Sequence, residues 1–191
     1  MVVLGMGLFA QPLPEQQVVS EDPIVSEQSS VDGLSYMREE EKLARDVYLA
    51  LYETWQVRTF LNIARAEQQH TDAVAALLQA RGLYDPAADT AVGEFQHPEL
   101  ASLYTELVEL GSNSIQDAFL VGAIIEDLDI YDLKQFLAET EDEAEIWVYS
   151  NLLRGSENHM RSFIRQLSRY SIVYEPRYIS DAEFAAILLG R

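Results

Sequence analysis

The chain contains no cysteine, which removes disulfides, thiol nucleophiles, zinc ribbons and iron–sulfur clusters together. Any bound metal must then be held by carboxylates and imidazoles, and the chain has only three histidines. Basic residues are scarce as well: 13 Lys and Arg stand against 32 Asp and Glu, for a formal net charge of -19. A surplus of that size repels phosphate backbones and anionic lipid, which argues against a nucleic-acid partner, while it attracts cations, metal ions included. Strand-like alternation of apolar and polar residues is missing too. So is any apolar run near the roughly twenty residues that a membrane-spanning helix needs.

What is present suffices for one core. Of 191 residues, 48% are hydrophobic, which fits a single domain with appendages better than two domains. Met1 to Ala10 form an apolar stub, and Gln11 to Ser30 are polar and dotted with Pro12, Pro14 and Pro23. A secretory signal needs a basic start, yet no Lys or Arg precedes Arg38, and Leu8 is a poor fit three residues before a cut after Ala10. Two readings of residues 1–33 stand level: a signal peptide whose basic end is lost through a late start, hence an exported protein, or a disordered cytoplasmic tail and linker. The folded domain is expected over 34–191.

From Ser35 onward apolar residues recur at helical spacing, so the fold class is all-α. The first long helix is expected at about 35–55, with Leu34, Met37, Glu41, Ala44, Tyr48, Leu51 and Trp55 on one stripe. The second, about 59–81, carries Phe60, Ile63, Glu67, His70, Val74 and Leu77, and Gly82 stops it. Some thirty residues follow, within which Pro98 opens a short helix to about Leu110. Ser114 caps a third long helix, about 114–139, with Phe119, Ala123, Glu126, Ile130, Leu133 and Leu137 along one face. A fourth, about 143–169, points Tyr149, Leu153, Ser156, His159 or Met160, Phe163 and Leu167 inward, and the capping box at Ser180 and Glu183 opens a short last helix. Four long helices joined short, long, short predict a ferritin-like four-helix bundle with one long crossover, plus a C-terminal helix.

The chemistry lies in residues that interrupt the apolar stripes. Glu41, Glu67, His70, Glu126 and His159 all fall where leucines are expected, and an unpaired carboxylate or imidazole there is costly. At about 1.5 Å per residue, each lies within about four residues of its helix midpoint, so the five converge on one level. Glu67 and His70 are three apart and therefore share a helix face. A lone Glu-x-x-His is a weak signal, but matching inward carboxylates on two other helices and a histidine on the fourth form the set that holds paired iron or manganese inside a bundle. Buried hydrogen-bonding partners are the plain alternative for each residue taken singly.

At these residues the sequence resembles the ferritin-like superfamily, rubrerythrins in particular. Glu41-Lys42-Leu43-Ala44-Arg45-Asp46-Val47-Tyr48 looks like their first-helix ligand segment, and Ala66-Glu67-Gln68-Gln69-His70 like their second-helix Glu-x-x-His. With Ser-Glu-Asn-His at 156–159 and Tyr-x-Pro at 174–176, residues 34–189 resemble the uncharacterised family called domain of unknown function 2202. The resemblance implies metal ligands at Glu41, Glu67, His70, Glu126 and His159, with a di-iron cofactor or else manganese or another divalent metal. Two departures matter. Ser156 stands where the template has a second Glu three residues before His159, and Asp129 resembles the extra third-helix carboxylate that would substitute for it; Glu157 lies about 200° from His159 and points elsewhere. Without cysteine, the electron-transfer module of rubrerythrins is not on this chain, so reducing equivalents must come from an external donor.

Tyr48, Tyr52, Tyr131 and Tyr149 read first as core, with Tyr48 the candidate to stand behind the ligands. Trp55 and Trp147 read as core packing, His97 as a cap or surface residue, and the acidic run Glu139, Glu141, Asp142, Glu143 and Glu145 as a solvated helix cap. Three functions remain: a di-metal redox enzyme of ferroxidase or peroxidase type, a metal store without turnover, and a metal-free helical scaffold that binds a partner. A homo-oligomer stays open.

Overall fold

A computed structural model describes residues 23–190, with side chains from residue 33. The stub and most of the expected linker lie outside these residues. Six helices account for the described chain, with no strand among them: α1 (Pro23–Trp55), α2 (Arg58–Ala80), α3 (Pro98–Gly111), α4 (Ile115–Glu139), α5 (Glu143–Ser168) and α6 (Asp181–Leu188). The protein is all-α. Its first helix starts at Pro23 rather than near Ser35. Proline at a first helical position lacks only an N–H that the helix leaves unbonded anyway, so the proline read as a linker mark serves as a helix start.

The helix ends follow from local chemistry. Ser114 accepts the Asp117 N–H, Asp142 accepts those of Ala144 and Glu145, and Ser180 with Glu183 forms the expected capping box. Gly82, at φ 65°, takes the left-handed conformation that closes α2.

Contacts at the ends fix how the long helices run. α1 and α2, joined by Gln56 and Val57 alone, turn back on each other, as α4 and α5 do across 140–142. Trp55 Nε1 donates to the Gly111 carbonyl at 2.8 Å, and Gly33 meets the Phe136 ring, so α1 runs opposite to α4. Gln166 bonds Thr59 and Arg81 bonds Glu145, so α2 runs opposite to α5. The chain between α2 and α4 must therefore travel the length of the body, and α3 makes the second half of that journey against α1 and α4.

The motif on α1 clamps this link in place. Arg38 holds Asp85 through two bonds of 2.9 and 3.1 Å, and Lys42 donates to the carbonyls of Ala91 and Glu94 at 2.8 and 2.9 Å. Glu39 accepts the N–H groups of Gln96 and His97 at 2.6 and 3.0 Å, and Asp46 accepts that of Gly93 at 3.0 Å. These charged groups are buried, yet their hydrogen bonds satisfy backbone groups that water no longer reaches. At the other end of the chain Asp127, fully buried, accepts from the Tyr174 hydroxyl and the N–H groups of Arg177, Tyr178 and Ile179, tying the tail to α4.

Two sequence expectations need correcting, and a third is met in position. Trp147 is 68% exposed and takes no part in the core. Glu145 is buried between Arg81 and Thr140, so the acidic run is a solvated cap only in part. His97 is the N-cap residue of α3, as expected, though without a side-chain cap bond; its ring meets Tyr36 edge-on, at 5.2 Å.

Candidate metal centre

Two apolar clusters fill the interior, one around Tyr48, Phe60, Phe119 and Phe163 and another around Met37, Leu78, Leu133 and Tyr149. Along α1, α2 and α5 the polar residues singled out above fall between them, and on α4 Glu126 stands among residues of the first, between Ile125 and Ile130. Glu41, Glu67 and Glu126 are 1 to 2% exposed, and the side chains of His70 and His159 are 15% and 12% exposed.

The five residues form two groups that share one member. Glu41, Glu67 and His70 make the first and Glu67, Glu126 and His159 the second, with the ligand atoms of each all within 4.8 Å of one another. His70 Nδ1 lies 2.7 Å from Glu67 Oε2 and 3.1 Å from Glu41 Oε2. His159 Nδ1 lies 2.7 Å from Glu67 Oε1 and 3.6 Å from Glu126 Oε2. Glu67 thus turns one oxygen to each histidine. The two rings lie nearly parallel, 5.6 Å apart.

Surrounding residues hold these side chains in place. The Tyr48 hydroxyl donates to Glu126 Oε1 at 2.5 Å; burial first, then Glu126, pushes this phenol far above its usual range and keeps its proton on. Gly155 lets α5 approach His70: a Cβ there would sit 2.5 Å from both Cε1 and Nε2 of the ring. A glycine inside a helix costs about 1 kcal/mol against alanine, which is the signal that sequence reading had available and did not use.

The remaining candidates divide. Asp129 is buried beside the two groups without belonging to either, and its Oδ2 accepts the hydroxyl of Ser156. The serine at the expected glutamate position thus leads to the α4 carboxylate. Glu157 is half-buried and in neither group. Tyr149 is buried, Tyr52 is half-buried against the core, and Tyr131 is 40% exposed.

The electrostatics are those of alternating charges. Burial alone would lower both imidazoles, but Glu41 raises His70 to about 12 and Glu67 raises His159 to about 10. Burial pushes Glu67 up, yet His159 and His70 outweigh it and hold the carboxyl down at about 2. Burial lifts Glu41 to about 7 and Glu126 to about 6. Pairing among the five is incomplete even so. Glu41 Oε1, Glu67 Oε1, Asp129 Oδ1 and His159 Nδ1 are buried without an aligned hydrogen bond. Without metal, imidazolium protons balance the carboxylates; by donor type, three carboxylates with two imidazoles suit iron, manganese or zinc in place of those protons.

Comparison with known proteins places the chain. It is 46% identical over 180 residues to "Uncharacterized protein MJ0754" of Methanocaldococcus jannaschii, covering 94% of this chain and 93% of that one. The crystal structure of "hypothetical protein MJ0754 from Methanococcus jannaschii DSM 2661" superposes with a TM-score of 0.82 at 44% identity, covering 96% of this chain and 98% of that one. Residues 30–191 match the family described as "Uncharacterized protein domain (DUF2202)", and the chain belongs to that family.

Proposed function

We propose that the two groups bind a pair of metal ions bridged by Glu67, most simply di-iron, in a ferritin-like four-helix bundle, and that the pair serves oxygen or peroxide redox chemistry or iron oxidation. The observation that carries this reading is Glu67 itself, whose two oxygens each lie 2.7 Å from a different imidazole Nδ1. A carboxylate so placed suits a bridge between two ions, with Glu41 and His70 completing one side and Glu126 and His159 the other. Short, long, short connectivity and antiparallel pairing of α1 with α4 and α2 with α5 support the bundle assignment.

Bound iron would supply two oxidation states and the electrons that reduce dioxygen or peroxide. The chain's own residues set the conditions. Nδ1 of His70 and of His159 must give up a proton to bind, so loading releases protons to water. Tyr48 fixes Glu126 through a hydrogen bond and leaves its other oxygen free for a ligand role. The apolar clusters above and below the polar layer exclude bulk water. Electrons must come from outside, since no cysteine-bound electron carrier is on the chain.

Anaerobic loading with ferrous iron, followed by dioxygen or peroxide, tests the reading. Iron should oxidise faster than in protein-free buffer, and Glu41→Ala should remove the difference. Bound iron that oxidises no faster than in buffer would make the protein a metal store. No bound metal at all would make the polar layer a structural network of imidazolium and carboxylate.

A further inference from the structure

Three consecutive acidic residues of α1 are all buried: Glu39, Glu40 and Glu41 are 3%, 2% and 1% exposed. At about 100° per residue they point in three directions, and only two of them have been accounted for. Glu39 caps the backbone at Gln96 and His97, and Glu41 stands in the first ligand group. Glu40 has neither task, and neither of its carboxyl oxygens makes a hydrogen bond. It turns to α4, into the field of Asp129 and within hydrogen-bonding reach of the half-exposed Asp132 carboxyl. Asp129, three residues before Asp132, keeps Oδ1 unpartnered as well.

The neighbouring bases are engaged elsewhere. Arg38 is bound to Asp85, Lys42 to Asp46 and Lys134 to Glu183. Among the described residues, no ion pair reaches Glu40, Asp129 or Asp132. A carboxylate left unpaired in the interior is unfavourable, and a cation on this seam would offset that.

We propose that Glu40 and Asp132 form a binding station for a hydrated divalent cation between α1 and α4, from which Asp129 passes metal on to the two ligand groups. The half-exposed Asp132 is its outer end, the buried Glu40 its middle and Asp129 its inner end. The donors are all oxygen, so the station takes a hard cation and, with no imidazole, holds it less firmly than the inner groups do. It is also more open, since the two inner groups are the only described ones whose ligand atoms all lie within 4.8 Å of one another; water completes the shell. Carboxylates stepping inward from the surface of a chain with net charge -19 raise the local cation concentration where they begin. The station stands on Glu40 and Asp132 alone, whereas its delivery role rests on the metal centre proposed above.

Titration of the full metal-free chain with Mn2+, with the free ion followed by electron paramagnetic resonance, separates the two claims. Glu67→Ala, which breaks both inner groups, should still bind one Mn2+ per chain. Adding Glu40→Gln or Asp132→Asn should abolish it. In the chain with Glu67 intact, Glu40→Gln should slow filling of the inner groups about tenfold at limiting Mn2+, read from broadening of the His70 and His159 imidazole signals, with final occupancy unchanged. Glu40→Gln is isosteric and removes a buried charge, so the fold should survive; equal helicity by circular dichroism checks this. If the Glu67→Ala chain binds no Mn2+, or binds it equally well with Glu40→Gln, the station is refuted and Glu40 and Asp132 merely share a proton, whatever the inner groups bind. If the station binds but the imidazole signals of the intact chain never broaden, the delivery role and the inner centre fall while the station stands.

Discussion

Glu67 Oε1 and His159 Nδ1 approach to 2.7 Å across the α2–α5 interface without forming an aligned hydrogen bond. Two buried polar atoms held this close mark one side of the candidate centre. Because the other oxygen of Glu67 meets His70, one side chain joins both halves of the candidate centre.

Glu67→Ala should therefore empty both halves, and Glu157→Ala neither. Metal content of the two variants, purified identically and matched for helicity, checks this. Equal loss in both would mean that α5 presents a different face to the centre.

Gly155→Ala should weaken metal binding about ten- to a hundredfold by displacing His70, whose ring atoms lie 2.5 Å from the added methyl group. Alanine favours the helix by about 1 kcal/mol, so helicity should hold while affinity falls. Isothermal titration with Mn2+ measures the change.

Stability of the metal-free chain should peak in mildly acidic solution. His70 and His159 have pKa values raised to about 12 and about 10 by their carboxylate partners, so their contribution is complete below the ordinary value of 6.5 and is lost as pH rises through the raised values. Glu67, lowered to about 2, contributes fully above 4.5 and loses that as pH falls towards 2. Glu41 and Glu126, raised to about 7 and about 6, favour the fold while protonated and destabilise it as they ionise. The thermal midpoint should be highest near the ordinary carboxyl value of 4.5, fall below it as Glu67 loses its advantage, and fall above it first through Glu41 and Glu126 and then, beyond 6.5, through the two histidines. Bound metal should move the optimum upward, since it replaces protons on the imidazoles.

Asp127→Ala should release the tail. It would strand three backbone N–H groups and the Tyr174 hydroxyl, at a cost on the order of 3 kcal/mol. The urea midpoint should fall, and hydrogen exchange should quicken over residues 174–179.

Periodicity made the helices and the candidate ligands legible. A buried face repeats every 3.6 residues, so Glu41, Glu67, Glu126 and His159 betray themselves by standing where leucine belongs, and Pro98, Ser114 and Ser180 mark helix starts through chemistry confined to one turn. The same reasoning read Trp147 as core, although it is exposed, and placed Glu145 in solvent, because a helix pattern does not say which flank a neighbour covers. Asp129 was reached through resemblance, and its hydrogen bond from Ser156 joins helices that the sequence does not align. The partners of Arg38, Glu39, Lys42, Asp46 and Asp127 lie about fifty residues away along the chain. No local spacing encodes a pairing across that distance. The sequence by itself determined the all-α class, the helix boundaries within a few residues except at the start of α1, and the height at which polar side chains enter the core, since these depend on neighbours within a turn or two. Only the tertiary structure decided that Glu67 is shared between two histidines, that Gly155 makes room for His70 and that Glu40 is left unpaired beside Asp132, because each depends on how closely two helices approach.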